Sequence, residues 1–170
     1  MFEIVKYAGQ GGRDRFDCGK PELNTWLQTQ TSQQQKRDNA VTFVALDPSD
    51  QRVVGYYASR SYQLDVDHAA RAYGVGKKTY PVPALLLAKL AVCGSVQKKG
   101  LGEQLLVHAL KNFAEIAEKT GVEVIVVHAI DKDAAAFYGR YGFITFESHD
   151  LHLFLPMKTI RKLYPVETGV

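Results

Sequence analysis

The sequence predicts a mixed α/β fold in which helices cover both faces of a central sheet, and three features carry that prediction. An apolar run (Leu85, Leu86, Leu87, Leu90, Ala91, Val92), short enough for a buried strand, leads through a basic, glycine-bearing turn into a long helical pattern. Two β-rich runs, 40–46 and 52–64, flank the turn-forming Asp47-Pro48-Ser49-Asp50-Gln51, as in a hairpin. A second apolar run at 122–129 is followed directly by a short helical pattern at 131–141. Pattern alone leaves several α/β topologies open.

In chain order, residues 2–7 alternate as a first strand, and Gly9-Gln10-Gly11-Gly12 breaks it. Pro21 suits the first turn of a helix whose apolar stripe is Leu23, Trp26 and Leu27. The glutamine-rich stretch from Gln28 to Asp38 is expected to continue that helix with little burial, ending near Lys36 and Arg37. In the hairpin that follows, Tyr56 and Tyr57 are expected to pack within the sheet. Between Asp65 and Pro83 the pattern is lost, and Asp67, His68, Arg71, Lys77 and Lys78 fall in a long surface connection. Past the central strand, Leu101, Leu105, Leu106, Ala109, Leu110, Phe113, Ile116 and Ala117 recur at helical spacing while Glu103, Lys111, Asn112 and Glu118 face water. Thr120-Gly121 stops that helix, and Gly142 stops the one at 131–141. Residues 143–155 supply a last strand or hairpin arm with Glu147, Ser148, His149 and Asp150 as its turn, and Pro156 starts a short basic helix.

At 170 residues, 46% hydrophobic and 23% charged, the chain suits one globular domain over 1–170 with no dividing linker. Its formal net charge of +3 permits an anionic partner without requiring one. Cys18 and Cys93, the only cysteines, have neither a disulfide framework nor metal-ligand spacing, so both are read as thiols in a reducing cytoplasm and no metal site is expected. The first residues lack a basic segment followed by an apolar core, and no apolar run approaches membrane-spanning length. A cytosolic protein without membrane contact is expected.

The junction at 90–103 is built for an anion. A helix begins with unpaired N–H groups and the positive end of its dipole, and Gly100 and Gly102 let a phosphate approach the main chain. Gln97, Lys98 and Lys99 are placed to add donors and charge. The spacing excludes Gly-x-x-x-x-Gly-Lys-Ser/Thr, and Gly100-x-Gly102 lacks the third glycine of a dinucleotide fingerprint. What remains, Gln97-x-x-Gly100-x-Gly102 after Leu90-Ala91-Val92, resembles the acetyl-CoA pyrophosphate loop of the GNAT acyltransferases. The later Ala134-Ala135-Ala136-Phe137-Tyr138-Gly139-Arg140-Tyr141-Gly142-Phe143 resembles a second motif of that family, in the expected order.

The resemblance selects the GNAT fold, a mixed central sheet split at the cofactor site. It implies that Leu90, Ala91 and Val92 pair with the cofactor's pantetheine and that Gly100, Leu101, Gly102 and Glu103 hold its pyrophosphate. It places Tyr138 as the general acid for the leaving thiolate, since a phenol near pKa ~10 is protonated at neutral pH, with Phe137, Gly142 and Phe143 in structural roles. His108 and His128 are available as bases for the amine, although a lone histidine in such a place is more often structural.

Further segments sharpen the resemblance. Phe16-Asp17-Cys18-Gly19 with Leu23, Asn24, Trp26 and Leu27, then Thr42-Phe43-Val44, Val54-Gly55-Tyr56-Tyr57, Pro81-Val82-Pro83 and 86–92 are together similar to the GNAT toxins of toxin–antitoxin pairs. That group acetylates the α-amino group of aminoacyl-tRNA and stops translation. A ribbon-helix-helix antitoxin neutralises its members, and many are homodimers. For tRNA the candidate contacts are Lys36, Arg37, Arg71, Lys77, Lys78 and Lys89, meaningful only if they converge on one face. Two positions depart from the pattern: Cys93 stands where an aspartate is usual after Leu-Ala-Val, and Asp131 where many GNAT proteins have asparagine. A GNAT enzyme for a small amine or a protein N-terminus would keep the same loop and tyrosine without a basic face, and a non-catalytic acyl-CoA-binding module would keep the loop with Tyr138 turned away from the thioester.

Overall fold

The computed structural model describes residues 2–65 and 81–167. Among them the strands are β1 (Glu3–Lys6), β2 (Val41–Leu46), β3 (Val53–Leu64), β4 (Val82–Val92), β5 (Val124–His128), β6 (Ile144–Phe146) and β7 (His149–Pro156). They are hydrogen-bonded in the order β1-β2-β3-β4-β5-β7-β6. β4 and β5 are parallel, whereas β1–β2, β2–β3, β5–β7 and β6–β7 are antiparallel, so the sheet is mixed as expected. The helices are α1 (Pro21–Thr25), which continues through a π-turn at Trp26–Gln30 into α2 (Thr31–Lys36), then α3 (Leu101–Ala117), α4 (Lys132–Arg140) and α5 (Met157–Leu163).

One compact unit takes the described residues of Met1–Arg60 and Ala88–Ala109. Alternation along β2 and β3 sends Val44 and Tyr56 to one side, where they join Phe16, Leu23 and Leu27 in a core cluster. Phe43 and Tyr57 go to the other side, against His108 of α3. Helices therefore cover both faces of this part of the sheet. Tyr56 and Tyr57 are fully buried, as anticipated, and each phenol is satisfied: Tyr56 donates to the Leu23 carbonyl at 2.7 Å, and Tyr57 shares a 2.9 Å hydrogen bond with His108 Nδ1. The glutamine-rich stretch is more firmly held than its polarity suggests. Thr31 is fully buried, and the Gln35 amide donates to the Tyr7 carbonyl at 2.8 Å and accepts from the Thr42 N–H at 3.0 Å, bridging β1 and β2 to α2.

The second unit takes the described residues of Ser61–Leu87 and Leu110–Val170. Its β4–β5 ladder runs from Ala84↔Val124 to Leu87↔Val127 and stops there, although β4 continues to Val92. β5 itself ends one residue later, at His128, so β4 is the longer of the two strands. Leu64, Val82, Ala84, Val124, Val126, Phe146 and Phe154 form one core cluster of this unit. Two boundaries differ from the sequence reading. Pro83 belongs to β4, whose start at Val82 is fully buried; a proline near a strand's first residue forfeits little of the ladder, and its carbonyl still accepts from the Glu123 N–H at 2.9 Å. His149 and Asp150 lie in β7, because a bulge at Thr145/Phe146 takes up the chain reversal and leaves only Glu147 and Ser148 between the strands.

Candidate active site

In the first unit, Cys93 ends the β4 segment by donating its N–H to the Val54 carbonyl at 2.8 Å, and Gly94–Val96 forms a single 3₁₀ turn. Lys98 (φ 62°) and Gly100 (φ 81°) then adopt left-handed backbone, a conformation that curls successive amides into a concavity. At Gly100 this φ is what the glycine supplies, since a Cβ there would meet nothing within 4 Å. The Gly100 carbonyl accepts from the Gln104 N–H at 3.1 Å, which opens α3. Among the described residues nothing accepts from the N–H groups of Leu101, Gly102 and Glu103. These donors, the positive end of a 17-residue helix and the exposed Lys98 and Lys99 make the loop an anion cradle.

The cradle is braced from behind by the Phe16-Asp17-Cys18-Gly19 segment. The Asp17 carboxylate accepts from the Gly19 N–H and the Asn24 amide, both at 2.9 Å, and the Asn24 carbonyl accepts from the Cys18 N–H at 2.8 Å. Those two donors hold the Asp17 carboxyl below the usual aspartate range, the Gly19 N–H contributing most. So fixed, the segment presents its own carbonyls to the loop: Asp17 accepts from the Gly94 N–H at 2.8 Å and Cys18 from the Gln97 amide at 3.0 Å. Gln97 also donates to the Val92 carbonyl at 2.9 Å. Both amide hydrogens are therefore used within the protein, and Gln97 shapes the loop where the sequence reading gave it a direct donor role. Leu101 is buried, and it anchors the start of α3 against β3: a Cβ at Gly55 would come within 3.1 Å of Leu101 Cδ2 and 3.0 Å of Leu105 Cδ1.

In the second unit, Asp131 caps α4, its carboxylate accepting from the Ala134 N–H at 2.9 Å. α4 carries Phe137 and Tyr138. The Tyr138 ring is buried against Phe137 (5.3 Å between centroids) and Phe143 (5.5 Å), and its hydroxyl has no hydrogen-bond partner among the described residues. Burial pushes the Tyr138 phenol well above the ordinary tyrosine range, so it holds its proton at neutral pH. Phe137 also packs on Tyr141 and under the Arg140 guanidinium.

The candidate bases separate. His108 is tied to Tyr57 and packed on Phe43, a structural setting, whereas His128 ends β5 beside a cavity that the sequence pattern did not reveal. Of the basic candidates, Lys36 and Arg37 are exposed at the end of α2, and Lys89 lies 3.6 Å from the Glu22 carboxylate. Arg71, Lys77 and Lys78 lie outside the described residues. Among the described residues no group of three or more His, Cys, Asp or Glu side chains is placed to hold a metal ion, and none of their helices is long and apolar enough to cross a membrane.

Residues 35–145 match the acetyltransferase (GNAT) domain family. The chain belongs to the GNAT acetyltransferases. It is 36% identical over 149 residues to a tRNA-acetylating toxin of Mycobacterium tuberculosis, covering 87% of each protein. A crystal structure of a tyrosine-to-phenylalanine mutant of KacT superimposes with a TM-score of 0.89 at 27% identity, over 96% of this chain and 99% of that one. A mutant AtaT toxin bound to the C-terminus of the antitoxin AtaR matches with a TM-score of 0.83 at 25% identity, over 97% and 99%.

Proposed function

We propose that this enzyme is a toxin that transfers the acetyl group of acetyl-CoA to the α-amino group of aminoacyl-tRNA, blocking translation until an antitoxin neutralises it. The observation that carries the reading is the similarity, over nearly the whole chain, to a tRNA-acetylating toxin, joined to a cofactor loop whose helix donors are unspent. The N–H groups of Leu101, Gly102 and Glu103 with Gly100 hold the cofactor's pyrophosphate, Lys98 and Lys99 add charge, and Gln97 keeps the loop in shape. The main chain of Leu90, Ala91 and Val92, which lies beyond the end of the β4–β5 ladder, pairs with the pantetheine.

Acetyl-CoA supplies the activated acyl group. The amine nitrogen attacks the thioester carbon, and the carbon–sulfur bond breaks as sulfur takes its electron pair. Tyr138, kept protonated by burial, gives its proton to that thiolate. Phe137 and Phe143 fix the direction of the phenol. Lys36 and Arg37 contact tRNA phosphates, and Lys89 does so if Glu22 releases it. The residues 1–170 act in the cytoplasm as one acetyltransferase domain, as a homodimer, with a ribbon-helix-helix antitoxin as partner.

The test is transfer of labelled acetyl from acetyl-CoA to a pool of charged tRNA by the wild type and by Tyr138→Phe. Label is expected in the aminoacyl group with the wild type, falling about 10²-fold or more with the variant, the range of a lost general acid. Acetyl-CoA binding without any transfer to charged tRNA would redirect the search to small amines and protein N-termini.

A further inference from the structure

Three histidines from distant parts of the second unit meet at one cavity. His128, the last residue of β5, stands opposite His152 of β7 in the ladder, and the two imidazoles stack with centroids 3.9 Å apart and planes 21° from parallel. His149, at the start of β7, stacks on the other face of His152 at 3.7 Å and 7°. Tyr62 of β3 meets His128 edge-on at 5.7 Å. These rings and Ser148 surround a cavity of about 230 Å³ whose apolar lining is Leu64, Val126 and Phe146. The volume is below the roughly 300–1,000 Å³ of pockets that enclose drug-sized molecules, so it suits an amino-acid end rather than a nucleotide.

The cavity lies at the end of β5. The β4–β5 ladder stops at Leu87↔Val127, and His128 is the next residue of β5. The titratable groups facing His128 are Tyr62 from β3 and His149 and His152 from β7, and no carboxylate lines the cavity among the described residues. No described residue hydrogen-bonds to either ring nitrogen of His128. Burial, aided by the His149 charge, pushes the His128 pKa below the ordinary histidine value, so the ring is neutral, with a free lone pair, at physiological pH.

We propose that this cavity takes the amino-acid end of the acceptor and that His128 removes a proton from its α-ammonium group, an inference that rests on the acetyl-transfer reading above. An amine attacks only as the free base, and an α-amino group titrating near about 7.7 is largely protonated below neutrality. His128 takes one proton, leaving the nitrogen lone pair free to form the C–N bond as the carbonyl π pair moves to oxygen. When the tetrahedral adduct collapses, sulfur leaves with its electron pair and takes the Tyr138 proton. The phenolate then regains the second nitrogen proton. Of the three ammonium protons, one remains on the amide, one reaches the thiol through Tyr138, and one leaves with His128 for water. A neutral ring stacked on His152, with His149 beyond it, gains this proton only transiently, because neighbouring imidazoles disfavour a lasting charge.

The test is the pH profile of kcat/KM for acetyl transfer to charged tRNA, measured for the wild type and for His128→Gln. In the wild type the acid limb is expected below pH 6.5, where His128 itself titrates. In the variant only the free amine reacts, and the limb moves up toward about 7.7, a deficit of about tenfold at pH 6.5 that closes to about twofold at pH 7.7 and nearly vanishes by pH 8.5. Superimposed profiles, or a loss equal at every pH, would overturn the assignment and leave acetyl transfer standing. A wild-type acid limb at 7.7 or above would overturn it even if the variant failed to fold. No transfer by the wild type at any pH would remove the underlying reading and this inference with it.

Discussion

Removing the Gln97 amide takes away the hydrogen bonds to the Cys18 and Val92 carbonyls together, and with them one of the two ties between the bracing segment and the loop. At about 0.5–1.5 kcal/mol per bond, Gln97→Ala is expected to raise KM for acetyl-CoA about tenfold while kcat changes little, because the loop binds and does not react. Steady-state kinetics at saturating charged tRNA would check it, and a fall in kcat with unchanged KM would contradict the bracing role. Gly55 makes a steric case of the same kind. Its Cα lies so close to α3 that Gly55→Ala sets a methyl within 3.0 Å of Leu105 Cδ1 and 3.4 Å of the Ala91 carbonyl oxygen. A destabilisation of about 1–3 kcal/mol in denaturant unfolding is expected. His128 also makes a stability prediction. Its pKa is depressed in the folded protein, so below pH 6.5 the unfolded chain binds the extra proton more readily, and stability is lost as pH falls through that range. The wild type should therefore lose more of its denaturant midpoint between pH 7 and pH 5 than His128→Gln does.

At the scale of elements, α4 is short, and a nine-residue helix is marginal without its ends secured. The Asp131 cap and the packing of Tyr138 on Phe143 hold it. Asp131→Ala is expected to cost about 0.5–2 kcal/mol, with Asp131→Asn close to neutral because the amide oxygen accepts the same N–H. Thermal unfolding of the two variants would separate capping from any charge effect. α3 was readable from its apolar spacing, and its first turn from the glycines. The bracing of the loop by Asp17, Cys18 and Asn24 was not, since hydrogen bonds between residues as much as 79 apart leave no periodic trace in a sequence.

Over the whole molecule, a net charge of +3 is too small to mark a nucleic-acid surface, and the outcome depends on where the cations gather. If about three of them reach tRNA phosphates, raising salt from 50 to 200 mM should raise KM for charged tRNA about 20- to 40-fold, while a small amine acceptor would show almost no change. The mixed α/β order of elements and the glycine-bearing turn into α3 were legible along the chain. Local propensity, alternation and short motifs are properties of neighbouring residues, and they survive without tertiary information. Three properties were not legible in this way. The Gln97 amide was spent inside the protein, His108 was bound into an aromatic cluster, and His128 faced a cavity with His149 and His152. Each depends on which distant side chains the fold brings within hydrogen-bonding or stacking distance. Composition cannot encode that proximity, and the folded sheet decides it.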